Sequence, residues 1–298
     1  MKKALKYSFL LIAFSWTVYY GLTALWKDFF AQGGAPMLLL KSAYMLFPML
    51  VALVLQAVGR ERPSSTGLLR FRLSWTYLAG IGCVIATVLL AIPLSALAPG
   101  VSMHYGAEQF ISINGLEGAA AESVSAQLQA LPAPMLLLST VLSGVLAGCT
   151  INALFAFGEE YGWRNYMVSA LRGESFLKAA VVIGLVWGIW HAPLVLAGHN
   201  YPQHPVAGVA MMCVFCILAG IVELYFTLMT GSVFIAAVIH GNINAMAAMV
   251  VMFVIGGNDL TVGLTGLGGF LAFALVILAL WLYDRRSGRN IMTSPVEC

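Results

Sequence analysis

MLLLSTVLSGVLAGCTINALFAFGEEYGWR, Met135–Arg164, is the stretch from which the rest of the chain can be read. More than twenty mostly apolar residues run straight into two adjacent carboxylates, Glu159 and Glu160, with Arg164 four positions after the second. At the end of a soluble helix such charges would simply be solvated. Within or beside a segment that crosses a bilayer, ionisable side chains are expensive, face the bundle interior and have to find partners.

The surrounding composition decides between the two. Of the 298 residues 61% are hydrophobic and 9% charged, against about 25% charged in a soluble domain, and the mean hydropathy is +0.91. Eight stretches, 7–26, 37–58, 75–97, 135–158, 177–197, 207–229, 231–254 and 264–283, meet the requirement of roughly 20 apolar residues that a bilayer core sets. The expected fold class is an all-α polytopic membrane protein, a bundle of about eight transmembrane helices. The opening MKKALK followed by 7–26 has the order of a signal peptide but no small-residue cleavage site, and it is read as the first helix. Residues 98–134 carry Glu108, Glu117 and Glu122 with no Lys or Arg, a composition that suggests a re-entrant or surface helix. The expected division is 1–134 (three helices plus this non-cytoplasmic segment), 135–254 (helices four to seven) and 255–298 (the last helix and tail).

Charge placement sets orientation. Lys2, Lys3, Lys6, Arg60, Arg62, Arg70, Arg72, Arg164, Arg172, Lys178, Arg285, Arg286 and Arg289 fall on one side of the eight-helix alternation, and only Lys27 and Lys41 near the other. Basic loops stay in the cytoplasm, so both termini are expected there, in a multi-pass protein of the cell's inner (plasma) membrane. The net charge of +3 reports this topology, and no basic patch suited to nucleic acid is present. Of the five cysteines, Cys213 and Cys216 lie one turn apart in apolar surroundings and are read as packing residues. Cys298 is last, not fourth from the end as prenylation requires.

The residues that do not belong in an apolar segment are Glu159, Glu160, His191, Glu223, His240 and Asn244. Gly144 and Gly148, and Gly184 and Gly188, form two GxxxG pairs, the spacing that lets helix backbones approach closely. Continuous helical phase puts Glu159 within about 20° of Gly148, and His191 within about 20° of Gly184. Helices four and five are therefore expected to pack through these glycines and bring Glu159 towards His191. His240 and Asn244, four apart, share a face. Glu160 stands four residues before Arg164, the favourable order for a helical ion pair, which would leave Glu159 free. Trp187, one turn before His191, would wall in the imidazole. By helical rise, His191 and Asn244 lie roughly 20 Å from the cytoplasmic ends of their helices. Glu159 can reach them only if helix four runs on past the glutamates to about Arg172, with Gly173 as its stop. Glu223 either lines a substrate path or snorkels to the interface.

EEYGWR is an EExxxR motif, Trp187–His191 is an aromatic-xxx-His motif and His240–Asn244 is HxxxN, in that order. Over roughly Met135–Met252 the chain resembles the CAAX-processing and bacteriocin-processing (CPBP) family of intramembrane endopeptidases, with Trp187 where phenylalanine is usual, read as a conservative change. The resemblance implies peptide-bond hydrolysis in a cavity opening to the cytoplasm. Glu159, assisted by His191, would activate a water. His240 and Asn244 would stabilise the oxyanion, with Glu160 and Arg164 as a supporting pair. The implied partners are the bilayer and a peptide or lipidated protein. Family members are often labelled metalloproteases, and Glu159, His191 and His240 are the donor types of a His₂Glu zinc site. There is no HExxH, and the reading favours no metal. A non-enzymatic membrane protein, a proton-coupled transporter or an immunity-type scaffold, is the alternative for the same residues. The inverted repeats and paired broken helices of transporters are missing.

Overall fold

The computed structural model describes residues 1–31 and 34–297; Cys298 lies outside the described residues. In chain order the helices are α1 (Lys2–Leu25), α2 (Lys27–Ala31), α3 (Gly34–Tyr44), α4 (Phe47–Val58), α5 (Thr76–Ser95), α6 (Glu108–Asn114), α7 (Gly118–Gln129), α8 (Ala133–Cys149), α9 (Ile151–Glu160), α10 (Val168–Ala170), α11 (Phe176–Trp190), α12 (Ala192–Leu196), α13 (Pro205–Thr230), α14 (Val233–Met246) and α15 (Leu267–Arg286). The sheet among the described residues is one two-residue antiparallel pairing, β1 (Ser102–Met103) with β2 (Val254–Ile255). The all-α membrane bundle expected from composition is the observed class.

Among the described residues six helical stretches are long and apolar enough to cross a bilayer: Lys2–Leu25, Ala35–Val58, Thr76–Ser95, Pro205–Thr230, Val233–Met252 and Leu267–Arg286. A seventh arises if Gly118–Gln129 and Ala133–Cys149, bent by 104°, count as one. The fourth and fifth of the eight expected stretches fall short. In the fourth, Thr150 leaves helical geometry (φ −119, ψ −99) and separates α8 from α9. In the fifth, α11 has 15 residues and closes at His191, and Pro193 sits in the first turn of the short α12, where a residue with no N–H to donate is tolerated.

Past Glu160 the chain stays helical, as the depth of the histidines required. A seven-residue π-helical stretch, Tyr161–Met167, continues α9 into α10, and Gly173 follows at φ +83, the left-handed conformation that ends helices. Such π insertions re-aim side chains inside an otherwise regular helix.

The glycine pairs face different neighbours from those expected. A Cβ on Gly144 would meet Met246 and one on Gly148 would meet Asn242, both on α14; one on Gly184 would meet Ile217 and one on Gly188 Cys213, both on α13. Close approach therefore joins α8 to α14 and α11 to α13, not helix four to helix five. Thr150 interrupts the helix between Gly148 and Glu159, so the uniform turn angle that related them does not run across the break.

Contacts sort the connections to two ends. At one end Lys3 pairs with Glu61 at 2.5 Å, the Val233 amide donates to the Leu68 carbonyl, and Gly173 and Glu174 bond to Val296. This gathers both termini with the connections near residues 59–75, 171–175 and 231–232. At the other end β1 pairs β2, the Gly256 amide donates to Gln109, Asp259 accepts from the backbone of Gln203 and His204, and Tyr201 donates to the Thr265 carbonyl.

Candidate active site

The π stretch and α9 present Glu159, Glu160 and Arg164 to the interior, where all three are buried. Arg164 Nη1 lies 3.0 Å from Glu160 Oε1, and Nη2 pairs with Glu223 Oε2 at 2.5 Å. One guanidinium thus ties α9 to α13. Gly220 leaves the room: a Cβ there would sit 3.0 Å from Arg164 Nη2. Glu223 is fully buried in this pairing, so it does not snorkel. Glu160 does more than neutralise Arg164, because His240 Nδ1 lies 2.8 Å from the same Oε1. That ring nitrogen is the donor to a carboxylate, which leaves Nε2 for whatever occupies the adjoining cavity.

Trp187 is the centre of the arrangement. Its indole N–H donates to Glu159 Oε2 at 2.7 Å, while Trp163 approaches the same oxygen at 3.5 Å. The Trp187 ring lies 4.7 Å from the Arg164 guanidinium carbon and makes an edge contact with His240, centroids 5.1 Å apart. The phenylalanine usual in the resembling family could make the ring contacts but not the hydrogen bond, so this departure is not a conservative one. His191 Nδ1 lies 3.0 Å from the Trp187 carbonyl. A carbonyl only accepts, so Nδ1 carries the proton and Nε2 is the basic nitrogen.

Glu159, His191, His240 and Asn244 all line one cavity of about 220 Å³. Asn244 is exposed to it, whereas neighbouring Asn242 is buried, donating to the Val238 carbonyl and packing on Gly148. Lys41, His199, Asn200, Asn244, Ala247 and Thr265 also border a second cavity of about 350 Å³. His199, stacked parallel on His191 with centroids 6.4 Å apart, and Lys41 were not legible as site residues. They lie in segments with no motif, and only folding brings α3 and the 197–204 connection to this point. Trp163 sits inside the EExxxR stretch at a position the motif leaves open, and the partner of Glu223, Arg164, lies 59 residues away in sequence, beyond the reach of local spacing. The cavity is therefore not confined to 135–254.

Among the described residues, the group whose ligand atoms fall within 4.8 Å of one another is Glu160, Glu223 and His240, a different set from Glu159, His191 and His240. It does not fit a metal ion. Arg164 already holds both carboxylates, and a dication there would face a guanidinium at contact distance. Glu159 in turn spends one oxygen on indole donors.

Residues 129–246 match the family described as type II CAAX prenyl endopeptidase, Rce1-like. A 49-residue stretch is 39% identical to the CAAX prenyl protease 2 of Methanococcus maripaludis, covering 16% of this chain and 18% of that protein. These matches support the CPBP/CAAX family named from the three motifs.

Proposed function

With the CAAX-type endopeptidase family as premise, we propose that this protein is an intramembrane endopeptidase that hydrolyses a peptide bond in a membrane-associated or lipidated polypeptide, with residues 135–254 as its catalytic core. The observation that carries this reading is the convergence of Glu159, His191, His240 and Asn244 on one cavity. Glu159, with Oε2 fixed by Trp187, takes a proton from a water through its other oxygen, and His191 Nε2 helps orient that water. The water oxygen bonds to the scissile carbonyl carbon. The resulting oxyanion accepts hydrogen bonds from Asn244 Nδ2 and from His240 Nε2, the latter in the imidazolium form that Glu160 counterbalances. Losing one such donor costs about 10² to 10³ in rate. Collapse breaks the C–N bond, and the proton held by Glu159 passes to the leaving nitrogen.

No step runs through a metal, since the compact donor set is held by Arg164. Incubation with 1,10-phenanthroline is expected to leave cleavage unchanged; loss of activity restored by zinc would overturn this point. Comparative membrane peptidomics of cells carrying wild-type or Glu159→Gln protein tests the function without a guess at the substrate. Wild-type-only cleavage products support it. Identical peptide sets, with proton uptake by the protein in vesicles, would turn the reading to a non-enzymatic proton-coupled role.

A further inference from the structure

The cavity and the basic connections lie at opposite ends of the bundle, and this conflicts with a pair of sequence expectations: cytoplasmic termini and a cavity opening to the cytoplasm. The end that holds both termini carries Lys2, Lys3, Lys6, Arg60, Arg62, Arg70, Arg72, Arg172, Lys178, Arg285, Arg286 and Arg289 in or beside its connections. Arg164 no longer counts, being buried between helices. Lys27 and Lys41 are the basic residues left for the other end.

The lining of the cavities comes from that other end. Helix α14 starts beside the basic connections at Val233, and by its rise His240 lies about 10 Å and Asn244 about 16 Å further along. Helix α11 starts at the basic end too, and His191 stands at its far terminus. His199, Asn200 and Thr265 belong to connections at the far end, and the second cavity adds Ile113, Asn114 and Asp259 from the same region. The connections of the basic end, 59–75, 171–175 and 231–232, contribute nothing to either lining among the described residues.

We propose that the cavity opens on the face opposite the arginine-rich connections, the non-cytoplasmic face, and receives segments of exported or surface-held polypeptides. The physical warrant is the retention of Lys and Arg of short loops on the cytoplasmic side, applied to ends fixed by tertiary contacts. The word "substrate" rests on the endopeptidase reading; the direction of the opening does not.

Two measurements test it on the full chain. In a background with Cys83, Cys149, Cys213, Cys216 and Cys298 replaced by alanine, single cysteines are placed at Ala248 and Asn114, exposed residues on the second cavity. Controls go at Ser64 and Ser287, exposed residues of the basic end. A membrane-impermeant maleimide is expected to label Ala248→Cys and Asn114→Cys equally in intact and permeabilised cells, and Ser64→Cys and Ser287→Cys only after permeabilisation. The reverse pattern overturns the proposal. A reporter fused after Cys298 gives the second measurement: fluorescence of green fluorescent protein supports the proposal and alkaline phosphatase activity overturns it, deciding alone if the cavity cysteines react in neither preparation. External labelling with no Glu159-dependent cleavage would leave the sidedness standing and remove the endopeptidase reading.

Discussion

Trp187 shows how much can depend on one indole nitrogen. Its donor bond to Glu159 is made inside a buried site, and a hydrogen bond to a charged group is worth about 1.5–3 kcal/mol. Trp187→Phe is expected to keep the ring packing, to lower the melting temperature in detergent by a few degrees as the bond is lost, and to lower the cleavage rate by up to about 10 to 150-fold, the rate equivalent of that energy. An unchanged rate would mean that the bond does not position the carboxylate. Glu223 belongs to the other kind of residue, one that holds the site without facing the cavity. Breaking a buried ion pair by removing one partner costs about 3–5 kcal/mol, so Glu223→Gln should lower resistance to denaturant by about that amount. A variant as stable as wild type would sink the pairing of α9 with α13 through Arg164.

At the scale of elements, the close approaches of α8 to α14 and of α11 to α13 hold the polar residues in register. A Cβ on Gly188 would sit 2.4 Å from the Cys213 backbone and one on Gly148 2.7 Å from the Asn242 backbone, distances that nothing but helix separation can relieve. Gly188→Val and Gly148→Val are expected to reduce the yield of folded protein sharply in size-exclusion profiles. Gly82 has nothing within 4 Å of its would-be Cβ, and Gly82→Ala should be neutral or stabilising by about 0.5–1 kcal/mol, since alanine loses less backbone entropy in a helix. Equal behaviour of the three variants would contradict this packing.

For the molecule as a whole, the site draws on more than the segment the family match covers. Tyr44 stacks on Trp190 at 4.4 Å and donates to its carbonyl, Trp190 donates to Ser15, and Tyr7 donates to the Pro48 carbonyl. The amino-terminal helices therefore buttress Trp190 from behind, and Lys41 and Met45 add to the lining of the cavity itself. A fragment spanning 129–246 should not accumulate as a folded, active protein in membranes; cleavage by that fragment at the full-length rate would show this support to be dispensable.

The sequence by itself determined the membrane class, the set of ionisable and amide side chains that line one cavity and the continuation of helix four past its glutamates, because hydropathy, charge cost and helical rise are properties of the chain read locally. It also gave a correct Glu160–Arg164 pair, which needs only four residues of helix. Tertiary structure decided which helices the glycines join, that Glu160 reaches His240, that Glu223 is buried on Arg164, and that Lys41 and His199 border the cavity. Those depend on the break at Thr150 and the π stretch after Glu160, each of which rotates everything beyond it by an amount that no extrapolation of a uniform 100° turn can supply.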